Sequence, residues 1–248
     1  MILTSTDQTR SDARRRSKHL SRRSSRYGRA FALVHAMVAV FLVACSFVIG
    51  FATMGHAQEA RTYKLVALGD SLTAGYNLPA TAALPAVLQE LLKAKGSSVE
   101  IANAGVSGDT TQGGLDRLDW SVPDGTDGVI LALGANDMLR GLDPAGVERN
   151  LEAIITRLKA RNIPVMLSGM LAGRNLGADY TQRFDAIYPR LAEKYGLILH
   201  PFLLDGVTGD EKLTLPDRLH PTADGVRAMA ERLLPFVQRF LASLPPRS

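Results

Sequence analysis

The stretch Tyr63-Lys64-Leu65-Val66-Ala67-Leu68-Gly69-Asp70-Ser71-Leu72 decides the fold of this chain. An apolar run that ends in glycine and small polar residues reads as a buried parallel strand handing its last side chain to a crevice. In open α/β sheets that crevice, outside the carboxyl ends of the strands, is where ligands bind. Ser71 at such a place is a candidate nucleophile.

Working outward, strand-like and helix-like segments alternate. Leu65–Leu68 is expected as the first strand, and Ala82–Lys95 as a helix with Leu84, Leu88, Leu91 and Leu92 along one face. Val99–Ala102 and Gly128–Leu133 read as the second and third strands. A helix over Pro144–Ala160 turns Leu151, Ile154, Ile155 and Leu158 inward. Pro164–Leu167 is expected as a fourth strand, Ala178–Tyr195 as a helix, and Leu197–His200 as a short fifth strand. The last helix is expected to start at Pro221, since proline suits a first helical position. It carries Val226, Met229, Leu233, Leu234 and Val237 at helical spacing, and the tail from Leu244 to Ser248 reads as frayed. Five strands alternating with helices imply right-handed βαβ units, a doubly wound parallel sheet and one three-layer α/β/α sandwich.

Charge separates this domain from what precedes it. Residues 1–30 hold nine Lys or Arg against two Asp, and residues 31–57 hold no charged residue. The whole chain nets +5, which leaves residues 58–248 at −2. The positive charge therefore belongs to the leader, and a nucleic-acid-binding face is not expected. A basic segment, the apolar stretch Phe31–Met54, and Gly55 and Ala57 read as a secretory signal cleaved after Ala57. Two alternatives stand beside it: an uncleaved anchor that would give membrane contact, because the apolar stretch is long, and lipidation at Cys45 within Leu42-Val43-Ala44-Cys45. Either way the domain from residue 58 is expected to be exported, periplasmic or secreted. Cys45 is the single cysteine, so that domain has no disulfide and no thiol chemistry. Its 191 residues are enough for one self-supporting core.

Strands of a parallel sheet point the same way, so the loops after them gather at one edge. Those loops hold Asp70-Ser71, then Asn103-Ala104-Gly105-Val106-Ser107-Gly108-Asp109-Thr110, then Gly134-Ala135-Asn136-Asp137, with Asp217-Arg218-Leu219-His220 near the end. A serine hydroxyl is a weak nucleophile until a base takes its proton. His220 suits that task because imidazole titrates near working pH. Asp217, three residues earlier, can orient the ring within one turn, and Pro216 and Pro221 bracket that turn. Acyl transfer also needs donors aimed at the developing oxyanion. The backbone N–H groups of Ser71 and Gly108 and the carboxamide of Asn136 are the candidates. Asp70 and Asp109 are expected to support the loops by hydrogen bonding. His19, His35, His56 and His200 make no metal-ligand spacing, so no metal is expected.

The four blocks Gly69-Asp70-Ser71-Leu72, Ser107-Gly108-Asp109-Thr110, Gly134-Ala135-Asn136-Asp137 and Asp217-Arg218-Leu219-His220 resemble those of the SGNH hydrolases of the GDSL family, in that family's order and across roughly residues 62–242. Within it, Gly69-Asp70-Ser71-Leu72-Thr73-Ala74-Gly75-Tyr76, Ser107-Gly108-Asp109-Thr110-Thr111 and Leu139-Arg140-Gly141 most resemble the bacterial periplasmic thioesterase, arylesterase and lysophospholipase group. The resemblance implies a flavodoxin-like sheet, no cofactor or metal, and a multi-substrate site for acyl chains. The expected function is a serine esterase acting through an acyl-enzyme on lysophospholipid, acyl-CoA or aryl esters. A carbohydrate O-deacetylase is the alternative within hydrolases. From another class, Ser107-Gly108-Asp109-Thr110-Thr111 could cradle a phosphate or flavin, or the domain could be an exported binding module without catalysis.

Overall fold

The structure is a computed structural model that describes residues 62–245, together with His35 and Met37 in the leader. The expected signal, anchor and lipidation site otherwise lie outside the described residues. Among the described residues no helix is long and apolar enough to cross a membrane.

Five strands form one parallel sheet in the order β2-β1-β3-β4-β5: β1 Tyr63–Gly69, β2 Val99–Gly105, β3 Gly128–Ala132, β4 Val165–Ser168 and β5 Ile198–His200. The helices are α1 Ser71–Ala74, α2 Leu84–Ala94, α3 Thr111–Asp116, α4 Leu118–Ser121, α5 Ala135–Leu139, α6 Pro144–Ala160, α7 Ala178–Asp185, α8 Ile187–Tyr195 and α9 Ala223–Ser243. Helices α2 and α9 pack together, while α6 packs with α3, α7 and α8, so the sheet is covered on both sides. This is the doubly wound sandwich that the alternation of elements implied, with the flavodoxin-like strand order that the family resemblance implied. β1 and β3 are neighbours that lead to opposite directions of strand order, which places the topological switch point between their carboxyl ends. Gly69 lies in register with Gly105 on one side and with Ala132 on the other. The three site-bearing loops therefore start at the same level.

Burial follows the sequence pattern. β3 is buried along its whole length, as expected of a central parallel strand. Leu151, Ile154, Ile155 and Leu158 of α6 are all fully buried. Removing each such side chain from water contributes about 1.5–3 kcal/mol.

Beyond shifts of one to three residues at the strand ends, four features differ from the sequence reading. The segment 178–195 is two helices, because Pro189 cannot donate to the Asp185 carbonyl and its ring crowds that carbonyl. The second helix begins at Leu84, after a 3₁₀ turn over Ala80–Ala82, and Pro85 occupies its first turn. Pro221 is not helical: it forms an antiparallel bridge with Thr214, and Thr222 caps α9 by accepting from the Gly225 amide at 3.2 Å. Leu244, expected to fray, is buried.

Candidate active site

Ser71 occupies the first position of α1, immediately after the end of β1. The Asp70 carboxylate caps this helix by accepting from the Leu72 amide at 3.0 Å. A short helix can leave the strand this abruptly only where backbones approach closely. A Cβ on Gly105 would lie 2.3 Å from the Ala74 nitrogen, so only glycine lets β2 pass under α1. Ser71 is nearly buried, at 8% exposure, with its hydroxyl turned to His220.

His220 reaches Ser71 from a hairpin-like loop. The Leu215 amide donates to the His220 carbonyl at 2.7 Å and the Thr222 amide to the Leu213 carbonyl at 2.9 Å, which clamps both ends of the turn. Pro221 thus acts as a bridge residue rather than as a helix start. Inside the turn, the Asp217 carboxylate accepts from the backbone amides of Leu219 and His220, each at 3.0 Å. Its second oxygen lies 2.7 Å from His220 Nδ1. An ionised carboxylate only accepts, so Nδ1 carries the proton and Nε2 is left to accept from Ser71 Oγ at 2.9 Å. The two amides, with the imidazole, hold the Asp217 carboxyl at about 2, well below its ordinary value. The charge that fixes the ring's tautomer is therefore present at any working pH.

The remaining loops are tied to one another. Asn136, in the first turn of α5, donates from Nδ2 to the Asp109 carbonyl at 2.9 Å and lies 3.4 Å from Asp70 Oδ2. Gly108 stands at φ +87°, a left-handed conformation that a side chain would strain. Its carbonyl accepts from Arg140 at 2.8 Å. Among the described residues, the backbone amides of Ser71 and Gly108 have no protein partner. The Asp109 carboxylate accepts from Arg117 at 2.6 Å, and Arg117 also donates to the Gly69 carbonyl at 2.9 Å. Buried Asp137 accepts from the amide and the hydroxyl of Thr111 at 2.8 and 2.7 Å, and Asn150 donates to that hydroxyl. Burial pushes the Asp70 carboxyl up to about 6.

Sequence reasoning assigned no role to Arg117, Thr111, Asp137, Asn150 or Arg140. Each bonds across more than 20 residues of chain or sits in a loop, so no local period marks it. Nor was Tyr76 assigned, although its ring lies 4.2 Å from the imidazole, centroid to centroid.

Beside this centre a cavity of about 520 Å³ opens, lined chiefly by apolar groups that include Met138, Met170, Leu171, Phe202, Val207 and Leu219. Leu219 adjoins His220, and Met138 lies on the helix that carries Asn136. An oriented serine–histidine pair beside an apolar cavity can transfer an acyl group and hold its hydrocarbon part.

An α/β sandwich with a serine–histidine–aspartate chain at its switch point is the frame of a serine hydrolase. Comparison with known proteins agrees: the GDSL-like lipase/acylhydrolase family matches residues 67–228, and the chain belongs to it. An arylesterase of Vibrio mimicus is 37% identical over 182 residues, covering 73% of this chain and 90% of that protein. Thioesterase 1/protease 1/lysophospholipase L1 of Escherichia coli (strain K12) is 38% identical over 185 residues, covering 73% and 88%. Among solved structures, the SGNH-hydrolase family esterase AlinE4 is 43% identical with a TM-score of 0.62, covering 75% of this chain and 98% of that one. TesA is 32% identical with a TM-score of 0.68, covering 71% and 98%. The relatives are esterases and thioesterases, and the serine acyl-enzyme chemistry expected from the sequence is of their kind.

Proposed function

We propose that this protein is an exported serine esterase that cleaves acyl esters and thioesters of lipid-like or aryl compounds, with Ser71 as nucleophile, His220 as base and Asp217 as orienter. The observation that carries the reading is the continuous chain from Ser71 Oγ to His220 Nε2 and from Nδ1 to Asp217, at 2.9 and 2.7 Å. His220 takes the Ser71 proton as Oγ bonds to the substrate carbonyl carbon, and returns it to the leaving alcohol or thiol. Water then repeats the sequence to free the acid. The Ser71 and Gly108 amides and the Asn136 carboxamide hold the oxyanion, while Asp70 and Asp109 fix the loops that carry them. In the resting arrangement Asn136 Nδ2 faces Asp109 and Asp70, so the developing negative charge must draw one of its hydrogens toward the substrate oxygen.

The apolar cavity supports an acyl or aryl group as the part of the substrate that is bound. Residues 1–57 serve as the export leader ahead of a hydrolase domain over 58–248; the basic run and the uncharged stretch that follows support that division. The experiment is kcat/KM on p-nitrophenyl esters from acetyl to palmitoyl. Rising values toward medium or long chains are expected. Activity confined to acetyl would move the substrate to a polar O-acetyl compound, and inactivity at every length would overturn the reading.

A further inference from the structure

We propose that Tyr76 is a positioning residue for His220, its ring holding the imidazolium that forms when Ser71 gives up its proton. This rests on the catalytic reading of Ser71 and His220. The two rings lie 4.2 Å apart at an interplanar angle of 31°, so a face of the tyrosine covers the imidazole. A cation over an aromatic face within about 6 Å of its centroid is attracted by the ring quadrupole. Neutral imidazole gains little from that face, whereas imidazolium gains more. The contact is therefore stronger after proton transfer than before it, which is the condition for lowering a barrier.

The backbone shows why this ring is where it is. Tyr76 follows Gly75 at φ +80° and precedes Asn77 at φ +56°, so left-handed residues flank it on both sides. Its amide donates to the Ser71 carbonyl at 3.2 Å, and the Leu78 amide closes the turn on the Gly75 carbonyl at 2.9 Å. The chain thus reverses straight after the nucleophile's helix and sets Tyr76 over a histidine 144 residues further on. At 40% exposure the ring has been kept out of the core, and among the described residues the imidazole is its one aromatic partner. Gly75 is the left-handed cap that ends α1, and asparagine tolerates the same region at Asn77, so the turn that presents this exposed ring is formed without strain. With Asp217 on Nδ1 and Ser71 on Nε2, Tyr76 supplies the remaining restraint, against tilting of the ring out of the plane that aligns those two bonds.

The test compares Tyr76→Phe, Tyr76→Leu and Ser71→Ala in steady-state hydrolysis of p-nitrophenyl butyrate, with thermal unfolding of each variant. Phenylalanine keeps the face and is expected to retain kcat within about twofold. Leucine keeps apolar cover but has no face, and kcat is expected to fall about 3- to 30-fold with KM within twofold. Should Tyr76→Leu fail to fold, Tyr76→Met takes its place with the same expectation. Full kcat in the leucine or methionine variant overturns the proposal, as does a loss carried by KM, which would make Tyr76 a substrate wall. Equal loss in the phenylalanine variant also overturns it, since the hydroxyl would then be the active part. If Ser71→Ala stays active, the catalytic reading of the site falls; if it is inactive while Tyr76→Leu is unimpaired, only the role of Tyr76 does.

Discussion

Two serine–histidine pairs lie in this domain, and only one is placed to react. Ser71 Oγ and His220 Nε2 are 2.9 Å apart; Ser168 Oγ and His200 Nδ1 are 3.1 Å apart. Both pairs sit at the carboxyl end of the sheet, the second joining the ends of β4 and β5 in register. By distance alone they are equivalent. The difference lies in what surrounds the rings. His220 has Asp217 on its far nitrogen, and its side chain is 20% exposed beside an apolar cavity. His200 is buried, meets Phe236 edge-on with centroids 4.9 Å apart, and among the described residues has no hydrogen-bonded carboxylate. Burial pulls the His200 imidazole down to about 4, so it stays neutral where a base would need to charge. Proximity of hydroxyl and imidazole is thus the cheap part of a catalytic pair. Access, and a fixed negative charge behind the ring, set the first apart from the second, which only satisfies two buried polar groups.

Substitutions can break this contrast, and the largest effects fall on the first pair. Ser71→Ala is expected to lower kcat on the order of 10⁴–10⁶-fold with unchanged Tm. Ser168→Ala should leave kcat/KM near the starting value but cost about 1–3 kcal/mol of stability, because His200 loses its partner. Equal activity losses in the two would erase the distinction. Asp217→Asn removes the charge while keeping the shape, and steady-state kinetics should show kcat down by on the order of 10⁴. Asn136→Ala withdraws one oxyanion donor, for which kcat falls on the order of 10²–10³-fold.

Two further effects appear in the pH dependence of stability, and they oppose one another. At His200 the folded value, about 4, lies below that of an unfolded histidine. The unfolded chain therefore binds a proton there that the folded chain refuses. The histidine's contribution is full above pH ~6.5 and is lost as pH falls toward 4. At Asp70 the folded value, about 6, lies above the ordinary 3.8. The folded chain keeps a proton that the unfolded chain releases, so stability falls as pH rises from about 4 to 6. Each effect is on the order of 2–3 kcal/mol. Thermal unfolding between pH 4 and 6.5 separates them. The advantage of Asp70→Asn over the parent should grow as pH rises, and that of His200→Gln as pH falls. Parallel curves for all three proteins would contradict both assignments.

Much of this architecture was legible in the sequence. The strands were, because a sheet covered on both faces writes itself as uninterrupted apolar runs such as Gly128–Leu133. So was the meeting of Ser71, Asp217 and His220, because each lies within a few residues of a strand end or a proline-bracketed turn, and parallel strands bring such ends together. The misplacements have local causes. Helical periodicity over 178–195 outweighed Pro189, whose missing amide and crowding ring accompany a break there, whereas α9 runs unbroken through Pro235. Pro221 looked like a helix start because its bridge partner, Thr214, is set by folding of the loop and not by spacing. The same limit hid Arg117, whose bonds to Asp109 and Gly69 join segments that no period connects. Ser168 and His200 show the converse: two suggestive residue types at strand ends, set apart from the first pair by burial and, among the described residues, by the lack of a hydrogen-bonded carboxylate, neither of which spacing reveals.

The most direct test is to treat the protein with a fluorophosphonate and locate the adduct by peptide mass spectrometry. Reaction with serine needs both an activating base and access, so it reads the contrast between the two pairs in one experiment. The adduct is predicted on Ser71 alone, and lost in Ser71→Ala and His220→Ala. An adduct on Ser168, or labelling that persists without Ser71, would contradict the account.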